Sequence, residues 1–184
     1  MNVKNMVIAL SGFHGSGKTS LGIEIAKKYS LRHVSSGMVF RSIAREMGVS
    51  LNELSLMAEK SPEIDYKIDE RLRRIAKKGG IVADALLSGW VLKDIAHIKI
   101  WLKAPLEVRI KRIASREERP YEEVYKETII REGSEIKRFK KYYNIDLNDL
   151  SIYDFVISTY PYTFESVKRI LFQIIDSWIE SREE

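Results

Sequence analysis

The chain has no cysteine among its 184 residues. Disulfides and thiolate metal sites are therefore excluded, and the absence fits a reducing cytoplasm. No stretch is long and apolar enough to span a bilayer. The opening "MNVKN" lacks the basic start, long apolar centre and cleavage site of a signal peptide, so a soluble cytoplasmic protein is expected. There is no internal repeat, low-complexity tract or Pro/Gly linker. One domain over residues 1–184 is expected, at a size where a core can be buried without staples.

What is present is ordinary for a globular protein: 45% hydrophobic and 31% charged residues. The formal net charge is +5 and the pI is about 9.3. Nucleic acid, small polyanions such as nucleotides, and a solvated basic surface all fit that balance. The placement of the arginines has to decide.

Apolar periodicity predicts alternating strands and helices. Met6–Ser11 reads as a strand buried on both faces, followed by a glycine loop and a helix. "RHV" is a second strand, "GMVFRSIAREMG" a helix closed by Gly48, and "SLNE" a capping box. "SPEID" starts a further helix with a serine cap and proline in the first position. That helix stops at Gly79-Gly80. "IVAD" and "IKIWL" are strands three and four, with a short helix "GWVLKDIA" between them. Helices follow over "PLEVRIKRIASRE" and about Tyr121–Tyr143. "YDFVIST" is strand five, and a last helix spans about Thr163–Trp178. The fold class is α/β, a five-stranded parallel sheet with helices on both faces. Strand order is open, and the charged stretch Arg109–Lys141 reads as a mobile helical insertion.

"GFHGSGKT", Gly12–Thr19, fits G-x-x-x-x-G-K-[ST] in the strand–loop–helix context that the pattern needs. Gly12, Gly15 and Gly17 let backbone N–H groups approach phosphate oxygens, and the helix start adds its dipole. Lys18 reaches the β- and γ-phosphates of ATP, and Thr19 offers a hydroxyl to Mg²⁺. His14, Ser16 and Ser20 complete the nucleotide-holding run. His14 has no metal-ligand spacing around it and reads as a loop side chain. No N-K-x-D base-recognition motif occurs, and the chain is short for a helicase or motor. A small-molecule kinase leads.

Transfer to a second phosphate needs fixed cations from several places. "SSGMVFR" resembles a segment of nucleoside monophosphate kinases. The resemblance implies that Ser36, Gly37, Phe40 and Arg41 contact the monophosphate. "KRIASREERP" resembles the lid entrance of adenylate kinases, which implies Arg112 against adenine and Arg116 at the phosphates. Arg109, by contrast, reads as part of a solvated helix face. "REGSEIKR" carries Arg131, Glu135 and Arg138 at the R-x-x-x-D-x-x-R spacing of bacterial cytidylate kinases. On a helix they share one side.

The chain as a whole resembles archaeal-type cytidylate kinase through "EIDYKIDERLRRIAKKG", "IKIWLKAPLEVRIKRIA" and "YNIDLNDLSIYDFVI". The resemblance implies a P-loop fold with an NMP-binding segment about 35–80 and a lid about 112–140. It implies in-line transfer from ATP to CMP or dCMP with Mg²⁺, and no phosphoenzyme. Lys18, Arg116, Arg131 and Arg138 would be the catalytic cations, and Asp84, at the strand end where α/β ligand crevices form, would orient Mg²⁺ waters or the acceptor. Leu86 stands where the family has an arginine, the loss of a contact worth about 1.5–3 kcal/mol unless Lys93 or a lid arginine replaces it. A monomer with no membrane or stable nucleic-acid partner is expected. The alternatives are a P-loop kinase for another acceptor, or an ATP-dependent RNA-binding or ribosome-assembly switch.

Overall fold

Strand β1 (Val7–Ser11) forms because five consecutive small or apolar residues are all buried, as a central strand covered on both faces requires. The computed structural model describes residues 3–182. In it, β1 pairs in parallel with β3 (Ile81–Asp84) and β4 (Ile98–Lys103). Beyond these lie β2 (Arg32–Ser35) and β5 (Phe155–Ser158), giving the order β2-β3-β1-β4-β5. This order is what the alternation of elements left open.

Helices α1 (Lys18–Lys28) and α8 (Phe164–Glu180) cover one face. Leu21, Ile25, Leu171 and Ile175 pack there on Ile8, Leu10, Ile98 and Ile100. Helices α2 (Ser36–Met47), α3 (Leu51–Lys60), α4 (Glu63–Ala76) and the short α5 (Ser88–Val91) belong to the other. Ile43, Leu54, Leu72 and Val91 meet Val7, Ala9 and Ala83 on that side. Helices α6 (Leu106–Glu117) and α7 (Tyr121–Tyr143) carry a small cluster of their own, Ile110, Ile113 and Val124.

The caps follow local chemistry. Ser35 Oγ accepts from Met38 N, and Ser50 with Glu53 forms the expected capping box. Several boundaries shift by a few residues from the sequence pattern, and two of the shifts have a local cause. Helix α4 begins at Glu63, with Pro62 in the cap position and Ser61 Oγ accepting from Glu63 N. Of "GWVLKDIA" only its first three residues are helical, within α5 (Ser88–Val91), because the chain must turn down to reach β4. There the N–H groups of Ile95 and Ala96 both bond to Leu92 O.

Register sets the site. Leu10 and Ser35 are both the partners of Asp84, and Ser11 lies beside Trp101. The carboxyl ends of β1, β2 and β3 therefore meet, and the glycine loop, Asp84 and the start of α2 share one crevice. Ser88 Oγ donates to Leu10 O at 2.6 Å, and Gly89 N donates to Ser11 Oγ at 2.9 Å. These bonds fasten the "DALLSGW" segment to the end of β1.

Candidate active site

The loop from Gly12 to Gly17 turns on glycines. Gly12, Gly15 and Gly17 have φ of 143°, 77° and 98°. A Cβ on Gly12 would stand 2.2 Å from Leu102 O, and one on Gly15 2.5 Å from Arg109 O. Gly17, as N-cap of α1, offers no side-chain cap. The first-turn N–H groups of α1 are thereby left for an anion. Ser16 Oγ is buried and has no hydrogen-bond partner among the described residues, while Ser20 is exposed.

Lys18 folds back onto its own loop. Its Nζ donates to Gly12 O at 2.7 Å and to Phe13 O at 3.0 Å. Burial pulls its pKa below the usual lysine value, against the opposing charges of Asp84, Glu135 and Glu132. Thr19 Oγ1 donates to Asp84 Oδ2 at 2.6 Å, and His33 Nε2 stands 3.4 Å from the same oxygen. Burial opposes the charge on Asp84. His33, Lys18 and Thr19 outweigh it and hold the carboxyl below its ordinary range. A hydroxyl beside an ionised carboxylate is a hard-oxygen donor pair, the chemistry that suits Mg²⁺.

Arg109 overturns its sequence assignment. It is 6% exposed, not on a wet face. Its NH1 and NH2 pair with Glu132 Oε1 and Oε2 at 2.5 and 3.1 Å. NH1 also donates to His14 O at 2.8 Å, and Glu132 Oε1 accepts from His14 N at 3.1 Å. The reason lies in helical spacing: Arg109 is three residues before Arg112, so both share the side of α6 that meets the loop.

Arg112 is anchored through its edges. It donates to Thr159 Oγ1 and Thr159 O at 2.8 Å each, and to Gly15 O at 3.4 Å. With Val108, Lys111, Ser115, Arg116 and Tyr160 it lines a groove of about 570 Å³. Arg116 sits in that groove with a 65% exposed side chain paired to Glu117; it makes no bond to the loop.

On the acceptor side, Ser36 and Gly37 open α2. Phe40 packs on the main apolar cluster. Arg41 is exposed and has no hydrogen bond or ion pair among the described residues; its NH1 lies over Gly37. Helix α7 brings Arg131, Glu135 and Arg138 toward the loop and α4. Arg131 Nε is 3.4 Å from Glu135 Oε1, and Glu135 Oε2 is 2.8 Å from His14 Nε2. Burial opposes the charge on Glu135, but His14, Arg131 and Arg138 hold its pKa below the usual value. Arg138 donates to Asp65 Oδ2 at 2.9 Å and to Ser134 Oγ at 3.1 Å. Leu86 is buried in the main apolar cluster, so no cation stands there. Lys93 is exposed on the turn after α5.

Asp65 and Asp69 escaped the sequence reading. They lie one turn apart on α4 and face α7, Asp65 toward Arg138 and Asp69 accepting from Tyr143 OH at 2.5 Å. Their i, i+4 spacing was the available signal. Burial, against the Tyr143 bond, pushes the Asp69 pKa up to about 7. A carboxyl whose pKa is raised on folding stabilises the fold fully below its unfolded pKa and loses that contribution as pH rises through the folded value. Thermal stability is therefore expected to decline between about pH 4 and pH 8, and Asp69→Asn to flatten the slope. Melting curves across that range check this; a wild-type slope in Asp69→Asn would refute it.

A parallel sheet in this order, with a lysine-bearing phosphate loop after its central strand and arginines gathered from α2, α6 and α7, defines a P-loop kinase. Residues 7–160 match the cytidylate kinase-like family, and the chain belongs to that family. A cytidylate kinase of Staphylothermus marinus is 45% identical over 175 residues, covering 95% of this chain and 99% of that one. One of Methanocaldococcus jannaschii is 46% identical over 175 residues, covering 94% and 98%. Among solved structures, a protein of Eubacterium ventriosum superposes with a TM-score of 0.71 at 16% identity, covering 94% of this chain and 99% of that one. The shikimate kinase of Acinetobacter baumannii gives 0.63 at 18%, covering 95% of each. These two likenesses concern the fold.

Proposed function

We propose that the protein transfers the γ-phosphoryl group of ATP to CMP or dCMP, giving ADP and CDP or dCDP. Support comes from the two archaeal cytidylate kinases, which match nearly end to end. The observation that carries the reading is Arg41, an exposed guanidinium with no hydrogen bond or ion pair among the described residues, on α2, the helix that starts where β2 ends beside Asp84. A cation left without a partner on that helix suits a second anion.

The loop N–H groups and Lys18 hold the donor phosphates, and the anchored Arg112 offers its flat face to the adenine in the groove with Tyr160. Segment 35–80 takes the acceptor through Ser36, Gly37, Phe40 and Arg41, with Arg131, Glu135 and Arg138 of α7 meeting it from the lid segment, about 112–140. Arg116 swings from Glu117 to the phosphates as the lid closes. Thr19 and Asp84 would hold Mg²⁺, which when bound would neutralise charge on the donor phosphates. An acceptor phosphate oxygen, already anionic at neutral pH, attacks the γ-phosphorus in line. The β–γ bridging oxygen leaves with the bonding pair on ADP. No general base is needed, so positioning and charge stabilisation supply the rate.

A coupled ADP-release assay across all nucleoside monophosphates tests this. Fast release with CMP or dCMP and slow release with ATP alone is expected. Failure of every monophosphate to stimulate release would sink the proposal. Arg41→Ala is expected to raise the acceptor KM by about 10–100-fold, the loss of one charge-assisted contact. Unchanged acceptor KM and turnover would remove Arg41 from the site.

A further inference from the structure

We propose that His14, a side chain of the donor loop, is a positioning residue for the acceptor, holding Glu135 and through it the Arg131–Arg138 face of α7. This rests on α7 serving as the acceptor clamp.

The residue is fixed at three points. Its N–H donates to Glu132 Oε1 and its carbonyl accepts from Arg109 NH1. Its ring Nε2 meets Glu135 Oε2 at 2.8 Å. Glu132 and Glu135 are three residues apart and so share one face of α7. That face is thus tied twice to a single loop residue. The loop also lies close against α6: a Cβ on Gly15 would stand 2.5 Å from Arg109 O.

The ring contact has a consequence that the backbone contacts lack. Glu135 spends one oxygen on His14 and turns the other toward Arg131 Nε at 3.4 Å. Arg138 lies three residues further along, charge-coupled to the same carboxylate. The His14 and Glu135 side chains are 23% and 12% exposed. Their contact is therefore shielded more than a surface pair, which would contribute little. Without the ring, Glu135 is free to rotate toward either arginine, and the two cations lose their common reference. A donor-loop side chain thus sets acceptor geometry, and the P-loop and α7 are registered to each other before either nucleotide arrives.

The opposing account is that His14 contacts only the donor. The two accounts differ in which KM moves. In the full-length protein, His14→Ala is expected to raise the KM for the acceptor about tenfold, with the ATP KM changed less than about twofold. His14→Gln, which keeps an N–H donor, is expected to recover most of the loss. His14→Ala combined with Glu135→Ala is expected to be no worse than Glu135→Ala alone. A rise in the ATP KM alone, no change in either KM, or additive losses in the double variant would overturn the proposal. Amide hydrogen exchange of the nucleotide-free protein separates this from the choice of acceptor. Faster exchange at residues 131–138 in His14→Ala supports the bridge, and unchanged exchange overturns it. Faster exchange in a protein that phosphorylates no monophosphate sustains the bridge and overturns α7 as an acceptor clamp.

Discussion

Lys18→Ala is expected to lower kcat by about 10²–10³-fold, the usual effect of deleting one preorganised donor at a developing charge. The structure explains why nothing nearby compensates. Lys18 is the only lysine or arginine in the run Gly12–Ser20. Arg109 is already committed to Glu132 and His14 O. Asp84, Glu132 and Glu135 all act on Lys18 through their charge. Deleting the lysine removes the cation that offsets the negative field of these three carboxylates, so ATP affinity is expected to fall together with turnover. The fold is not expected to suffer, because burial of the ammonium already works against its charge. Steady-state kinetics with a parallel melting curve checks both halves. A variant within about threefold of the wild-type kcat would remove Lys18 from the mechanism.

Residues whose task is local were legible in the sequence. Gly12, Gly15 and Gly17 announce themselves because positive φ is a property of the residue itself. Lys18 and Thr19 follow at a spacing that loop and helix geometry require. Strand and helix types were legible too, because burial on one or both faces writes a period into the chain. What escaped are the pairings made across the sheet or between helices. Arg109 meets Glu132 23 positions away, Thr19 meets Asp84 across 65, and Arg138 meets Asp65 across 73. No helical or strand period encodes such pairs. Arg109 was misplaced because charge on an amphipathic helix usually faces water; only the register of α6 against the loop reverses that. Strand order was hidden for the same reason, since each strand's pattern reports how many faces are covered and not which neighbour covers its edge.

Arg109→Ala is expected to destabilise the protein by about 3–5 kcal/mol, the cost of leaving one member of a buried ion pair behind. For a chain of this size that corresponds to a melting temperature lower by about 6–20 °C. The attraction within the pair is not the main cause, since two charges taken out of water lose about as much hydration as they regain. The loss arises because Glu132 remains buried with His14 N–H as its surviving partner, a donor too weak to offset the desolvation of a carboxylate. The double replacement Arg109→Met with Glu132→Leu separates the two effects. It removes both charges and keeps much of the volume, so stability is expected to return to within about 1–2 kcal/mol of wild type. Activity is not expected to return with it. The N–H and carbonyl of His14 would have lost the two groups that hold them, and a phosphate loop displaced by about 1 Å forfeits much of its positioning advantage. Equilibrium denaturation of both variants, each followed by the coupled assay, checks the pair of outcomes. A fully active double variant would reduce the Arg109–Glu132 bridge to packing, whereas a stable, slow enzyme would show that the bridge holds the loop for catalysis.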